Sequence, residues 1–158
     1  MSESQKIPTL YEWAGGMATI EKLMDVFYKK VLEDPLLEPV FIHMSPQHQK
    51  HVAYFIAEVF GGPAYYSGSD GSHFKMIQKH LGKHITEPLR RKWVELLILS
   101  ADEVDLPADP EFRSAFMAYI EWGTRLAVIN SNASDLKLNP EEGMPKWGWG
   151  VPGGPYLT

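Results

Sequence analysis

The sequence predicts an all-α domain, and three observations carry that expectation. Apolar residues recur at three- and four-residue spacing through most of the chain, while no alternation of period two persists anywhere. Cap and proline signals punctuate the periodic stretches where helices should begin and end. Two glycine pairs, Gly15-Gly16 and Gly61-Gly62, mark sharp corners between them. Roughly five or six helices are expected, with no internal repeat.

The elements follow in order. Residues 1–10 read as a polar N-terminal arm, and Tyr11 to Gly16 as a helical turn ended by two glycines. A strong helix is expected from Thr19, its cap, with Ile20, Leu23, Met24, Phe27, Tyr28 and Val31 on one face, ending at Asp34-Pro35. Val40-Phe41-Ile42 is an apolar run in the connection. Ser45-Pro46 looks like a cap and first helical position, opening a helix to Phe60 whose stripe is Val52, Phe55, Ile56, Val59 and Phe60, with His48 one turn earlier. Ala64 to Ser72 lacks periodicity and reads as a structured loop.

A short helix then carries Phe74, Met76, Ile77, His80 and Leu81, and Gly82 stops it. Thr86-Glu87-Pro88 opens the next, with Leu89, Trp93, Leu96, Leu97 and Ser100 inward. Asp109-Pro110-Glu111 opens the last, with Phe112, Phe116, Tyr119, Ile120, Leu126 and Ile129 on its face. The helical domain is placed at residues 11–130. From 131 to 158 the composition turns to Asn, Pro, Gly and Trp, so an irregular extension is expected, flexible or laid across the body or a partner.

At 158 residues one domain is expected, large enough to bury about two-thirds of its unfolded surface. The net charge of −5 argues against broad binding to nucleic acid or anionic membrane, and Arg90-Arg91-Lys92 reads as a solvated helix face. The chain has no cysteine, which excludes disulfides, thiolate zinc, iron–sulfur clusters and covalent haem attachment. No signal core or membrane-length run is visible, so a cytoplasmic protein is expected.

His80 is the first candidate for chemistry. A neutral imidazole on a short, terminated helix suits a metal ligand, haem iron included, and equally suits a hydrogen-bonded structural histidine. His84 gives an H-x-x-x-H spacing, but zinc needs a third ligand and Gly82 interrupts the shared face. His43, His51 and His73 read as surface residues. Tyr28, His48 and Trp93 each bring a polar tip toward one interior region, where an unpaired buried donor costs about 1–3 kcal/mol. A bound polar group would satisfy them; singly, each could be a core residue.

These residues resemble the truncated haemoglobins, group II in particular, over roughly Leu10 to Ile129. The likeness rests on Gly15-Gly16, Val26-Phe27-Tyr28, Phe41, Gly61-Gly62-Pro63 with Tyr66, Lys79-His80 and Trp93. A distal histidine with Phe41 is also reminiscent of group III; the two glycine corners favour group II. The resemblance implies a two-over-two helical sandwich enclosing haem b (iron protoporphyrin IX). It implies His80 as the iron ligand, with Tyr28, Trp93 and His48 as distal residues stabilising bound ligand. Phe41, Val52, Phe55, Ile56, Met76 and Leu97 would line the haem, and Lys79 and Tyr66 would pair with its propionates. Dioxygen, nitric oxide, carbon monoxide or peroxide would be the ligands.

Several distal donors suit tight, slowly released oxygen, and hence scavenging or oxidative chemistry better than delivery. The alternatives are a nitric oxide dioxygenase or peroxidase served by an external reductase, and a cofactor-free helical interaction protein. A monomer or homodimer is expected.

Overall fold

The computed structural model describes residues 6–69, 71–133 and 141–155, with seven α-helices and no strand among them. The helices are α1 (Leu10–Ala14), α2 (Met17–Glu33), α3 (Glu38–Phe41), α4 (His48–Val59), α5 (His73–His80), α6 (Glu87–Glu103) and α7 (Pro110–Asn132). Helix α2 packs mainly on α4 and α6, α6 pairs with α7, and α5 rests chiefly on α7. The α2–α4 pair thus lies over the α6–α7 pair, the two-over-two arrangement that the sequence resemblance implies. No helix among the described residues is long and apolar enough to cross a membrane.

Local chemistry sets these boundaries. Thr9 and Glu12 form a reciprocal capping box at α1. Gly15 follows at φ 111°, where a side chain would strike Thr19 Oγ1 at 2.5 Å, so only glycine fits this corner. Helix α2 therefore starts at Met17, and Thr19, expected as its cap, lies in the first turn with its hydroxyl donating to the Gly15 carbonyl. At the second corner, a Cβ on Gly62 would sit 2.7 Å from the Tyr11 ring and 2.8 Å from the Ala57 carbonyl, so close approach of α1 and α4 requires glycine.

Other ends also shift. Val40 and Phe41 belong to the short helix α3 rather than to a loop. Ser45 accepts from the Gln47 N–H in a turn, and α4 begins only at His48. Ser72, Thr86 and Asp109 cap α5, α6 and α7 through side-chain oxygens. Ile129, expected inward, is 63% exposed, while Asn130 and Ser131 just after it are buried, so at the end of α7 the inward face has turned past Ile129.

The core centres on Phe27, Phe60, Phe112 and Phe116, all buried, with Leu23, Met24 and Val31 of α2. Arg90, read from sequence as solvated, is buried: its guanidinium pairs with Glu87 and Glu121 and ties α6 to α7. Beyond α7, the Trp147 N–H donates to the Val59 carbonyl, and the Trp149 indole N–H donates to the Pro8 carbonyl at 2.7 Å. Trp149 also meets Trp13 and Phe112 edge-on. The Phe74 side chain and Tyr156 lie outside the described residues.

Candidate functional site

One cavity of about 800 Å³ opens between α2, α3 and α4 on one side and α5, α6 and α7 on the other. Its lining is predominantly apolar, with a few polar tips, as small-molecule and cofactor sites require.

His80 stands in the last turn of α5 and lines this cavity. Its Nδ1 lies 2.8 Å from the carbonyl of Met76, one turn earlier. A carbonyl can only accept, so Nδ1 carries the proton and Nε2 keeps its lone pair. Burial lowers the His80 pKa, with Lys79 and Lys83 acting in the same sense and the Met76 bond opposing them. The ring is therefore a neutral, oriented base, and Nε2 has no hydrogen bond among the described residues.

Across the cavity, the Tyr28 hydroxyl and His48 Nε2 lie 3.0 Å apart. The α2 stripe sends Tyr28 inward beside Phe27, and the first turn of α4 brings His48 to it. Their rings meet edge-on, and each also meets Phe41. Burial pushes the Tyr28 phenol well above its ordinary pKa, so it keeps its proton. Burial, helped by Lys79, His80 and His51, pushes His48 down to about 4. Both partners are thus neutral at neutral pH. Trp93, from α6, lines the same space and leans edge-on against Phe27. Its indole N–H makes no hydrogen bond among the described residues.

Phe41, Val52, Phe55, Ile56, Met76 and Lys79 also line the cavity. Two sequence candidates do not. Tyr66 is only 3% exposed, packs edge-on against Phe55 and donates its hydroxyl to the Ser72 carbonyl, so it braces the loop before α5. Leu97 is fully buried one turn behind Trp93, in the core rather than at the cavity wall.

The structure adds residues that sequence reading passed over. His73, expected at the surface, is buried at 6% exposure, lines the cavity and stacks on Trp122. Tyr119, Ile120, Trp122 and Leu126 of α7, with Ile77, Ile85 and Leu89, complete the apolar wall. His43 and His51 sit at the rim, while His84, at φ 51°, is exposed and lines nothing. Periodicity had marked Tyr119, Ile120 and Leu126 as inward but could not say that they faced a cavity. Among the described residues no three His, Cys, Asp or Glu side chains cluster as a metal cage.

The family model for bacterial-like globins matches residues 9–121. The group 2 truncated haemoglobin YjbI of Bacillus subtilis is 29% identical over 135 residues, covering 85% of this chain and 98% of that protein. A group 1 truncated haemoglobin of Nostoc commune is 35% identical over 89 residues, covering 49% of this chain and 75% of its own length. Among solved structures, the haemoglobin of Chloroflexus aurantiacus superposes with a TM-score of 0.68 at 30% identity, covering 80% of this chain and 99% of that one. The fold is also that of the group II truncated haemoglobin of Bacillus anthracis, at a TM-score of 0.72.

Proposed function

The chain belongs to the bacterial-like globin family, and on that footing we propose that it holds haem b in the 800 Å³ cavity, with His80 as the iron's protein ligand and Tyr28, His48 and Trp93 around the bound ligand. Haem binding, and through it the binding of small diatomic ligands, comes with the family. The roles of individual residues rest on the chemistry of the cavity.

One observation carries the reading. The Met76 carbonyl fixes the His80 tautomer that leaves Nε2 unprotonated, and burial keeps the ring neutral. An imidazole that is to bind iron needs that state, and the bond to the far nitrogen would set both its orientation and its basicity. The predominantly apolar walls suit the faces of a macrocycle. Lys79 and Lys83, exposed at the rim beside His80, suit its carboxylates. The residues present therefore fit the group.

When bound, haem supplies a redox-capable iron with one coordination position open to a diatomic ligand. The protein supplies the donors around it. In the Tyr28–His48 pair, one proton bridges the two groups. If His48 Nε2–H donates to the phenol oxygen, the Tyr28 proton is free to point at the ligand. Trp93 offers a second N–H. A hydrogen bond to a group bearing charge is worth about 1.5–3 kcal/mol, roughly ten- to a hundredfold in an equilibrium constant. Two such donors favour slow release of dioxygen, and so scavenging or oxidative use over delivery. A nitric oxide dioxygenase or peroxidase built on this site would take electrons from a separate reductase, since the sequence carries no flavin or nicotinamide motif.

Absorption spectra test the assignment. Added haem should give a Soret band in the wild type at one equivalent. His80→Gly should lose haem at least roughly a hundredfold more readily and recover it when free imidazole is supplied. A wild type that stays colourless overturns the haem site; unchanged spectra in His80→Gly move the ligand elsewhere.

A further inference from the structure

Trp122 occupies two environments at once. It lines the cavity and is also 40% exposed. It stacks on the buried His73 at 6.5 Å with the rings 25° apart. It also meets Tyr119 at 6.1 Å and Trp147 of the C-terminal extension at 5.7 Å, while Tyr119 and Trp147 lie 5.5 Å apart. Trp122 therefore joins the cavity wall to a cluster of oxidisable rings and is the most exposed of the three.

Resting on the haem reading above, we propose that Trp122 is a surface oxidation site, at which peroxide taken up in the cavity oxidises aromatic donors too bulky to enter it. A donor too bulky to enter the cavity must be reached through the protein. The O–O bond of hydrogen peroxide breaks and yields two waters, taking up two electrons and two protons. Trp122 passes the electrons inward one at a time. Each is replaced by a donor molecule that gives up one electron and one proton and leaves as a radical, so one peroxide consumes two donors.

Trp122 suits this better than Tyr119. An indole can lose an electron without first losing its proton, whereas a phenol radical needs a base, and the Tyr119 hydroxyl has no acceptor among the described residues. The Glu142 carboxylate, 3.6 Å from His73 Nδ1 and half exposed, makes the patch acidic, which favours neutral or cationic donors.

The test uses the haem-loaded full chain, hydrogen peroxide, a leuco-triarylmethane dye and a nitroso spin trap. Mass spectrometry of the digested wild type should find the trap on the peptide carrying Trp122. Trp122→Phe should lose that adduct and slow dye oxidation per haem by about tenfold or more, and Trp122→Tyr, with an oxidisable ring restored whose radical needs a base, should regain part of the rate. An adduct elsewhere, or an unchanged dye rate in Trp122→Phe, overturns the proposal while leaving the haem site standing. Absence of a Soret band after haem addition overturns the haem reading itself.

Discussion

On the α2–α4 side of the cavity, Tyr28 and His48 bond to each other at 3.0 Å inside a ring of Phe27 and Phe41. On the α5 side, His80 spends one nitrogen on its own helix, and the other has no hydrogen bond among the described residues. The supports differ in the same way. Helix α2 has 17 residues and six buried side chains, whereas α5 has eight, capped by Ser72 and resting chiefly on α7. An isolated helix shorter than about 12–15 residues is marginal. One wall thus holds two polar groups bonded to each other, and the other leaves a ring nitrogen open to the cavity.

The sharpest way to break that contrast is to remove the support of the first wall. Phe27 is wholly buried and meets both Tyr28 and Trp93 edge-on. Phe27→Ala should cost the haem-free protein about 3–5 kcal/mol in urea unfolding, since the transfer and cavity costs add. A loss below about 1 kcal/mol would mean that the distal wall does not depend on the core.

A smaller change keeps the wall and removes its chemistry. Tyr28→Phe preserves the ring but leaves His48 without its partner and removes one of the two proposed donors to the ligand. Stopped-flow dissociation of dioxygen from the haem-loaded protein should accelerate roughly ten- to a hundredfold, and Trp93→Phe should accelerate it less, because Trp93 has no second residue orienting it. An unchanged rate in either variant removes that residue from ligand stabilisation.

Much of this contrast could be read from the chain, and the exceptions have physical causes. Side-chain period three to four located α2, α4, α6 and α7, and the inward stripe of α2 came out residue by residue, because burial of one face is what the pattern encodes. Helix starts were less legible: Thr19 and Ser45 both have capping chemistry, and which turn a helix starts from depends on the corner geometry around Gly15 and on the turn at Ser45. Leu97 was drawn toward the cavity by its place in the pattern and Tyr66 by the family resemblance, yet an inward-facing residue can meet core or cavity alike. His73 and Trp122 stayed hidden for the converse reason. A histidine opening a short helix and a tryptophan on a long one look solvated until α5 and α7 are packed together and the stack closes. The 3.0 Å contact of Tyr28 with His48 spans 20 residues and depends on how α4 crosses α2, which no local signal contains.

The mildest probe of the distal wall is pH. His48 titrates at about 4 in the folded protein and near 6.5 unfolded, so between those values the unfolded chain binds a proton that the folded chain does not. Stability of the haem-free protein should therefore fall as pH drops from about 6.5 toward 4, and the slope due to this group should end below that. Burial lowers His80 as well, adding to the slope in the same sense, so His48→Gln should flatten the dependence without abolishing it. Because His48 is partly solvated, the difference between wild type and His48→Gln on going from pH 7 to pH 5 should be only about 1 kcal/mol in urea midpoints. An imidazolium donates from both nitrogens and cannot accept from the Tyr28 hydroxyl. If the pair survives acidification only with His48 as donor, the Tyr28 proton is left facing the cavity, and dioxygen release should slow over the same pH range. Equal stability slopes in wild type and variant would mean that His48 is solvated when folded. The distal wall would then be no more self-contained than the proximal one.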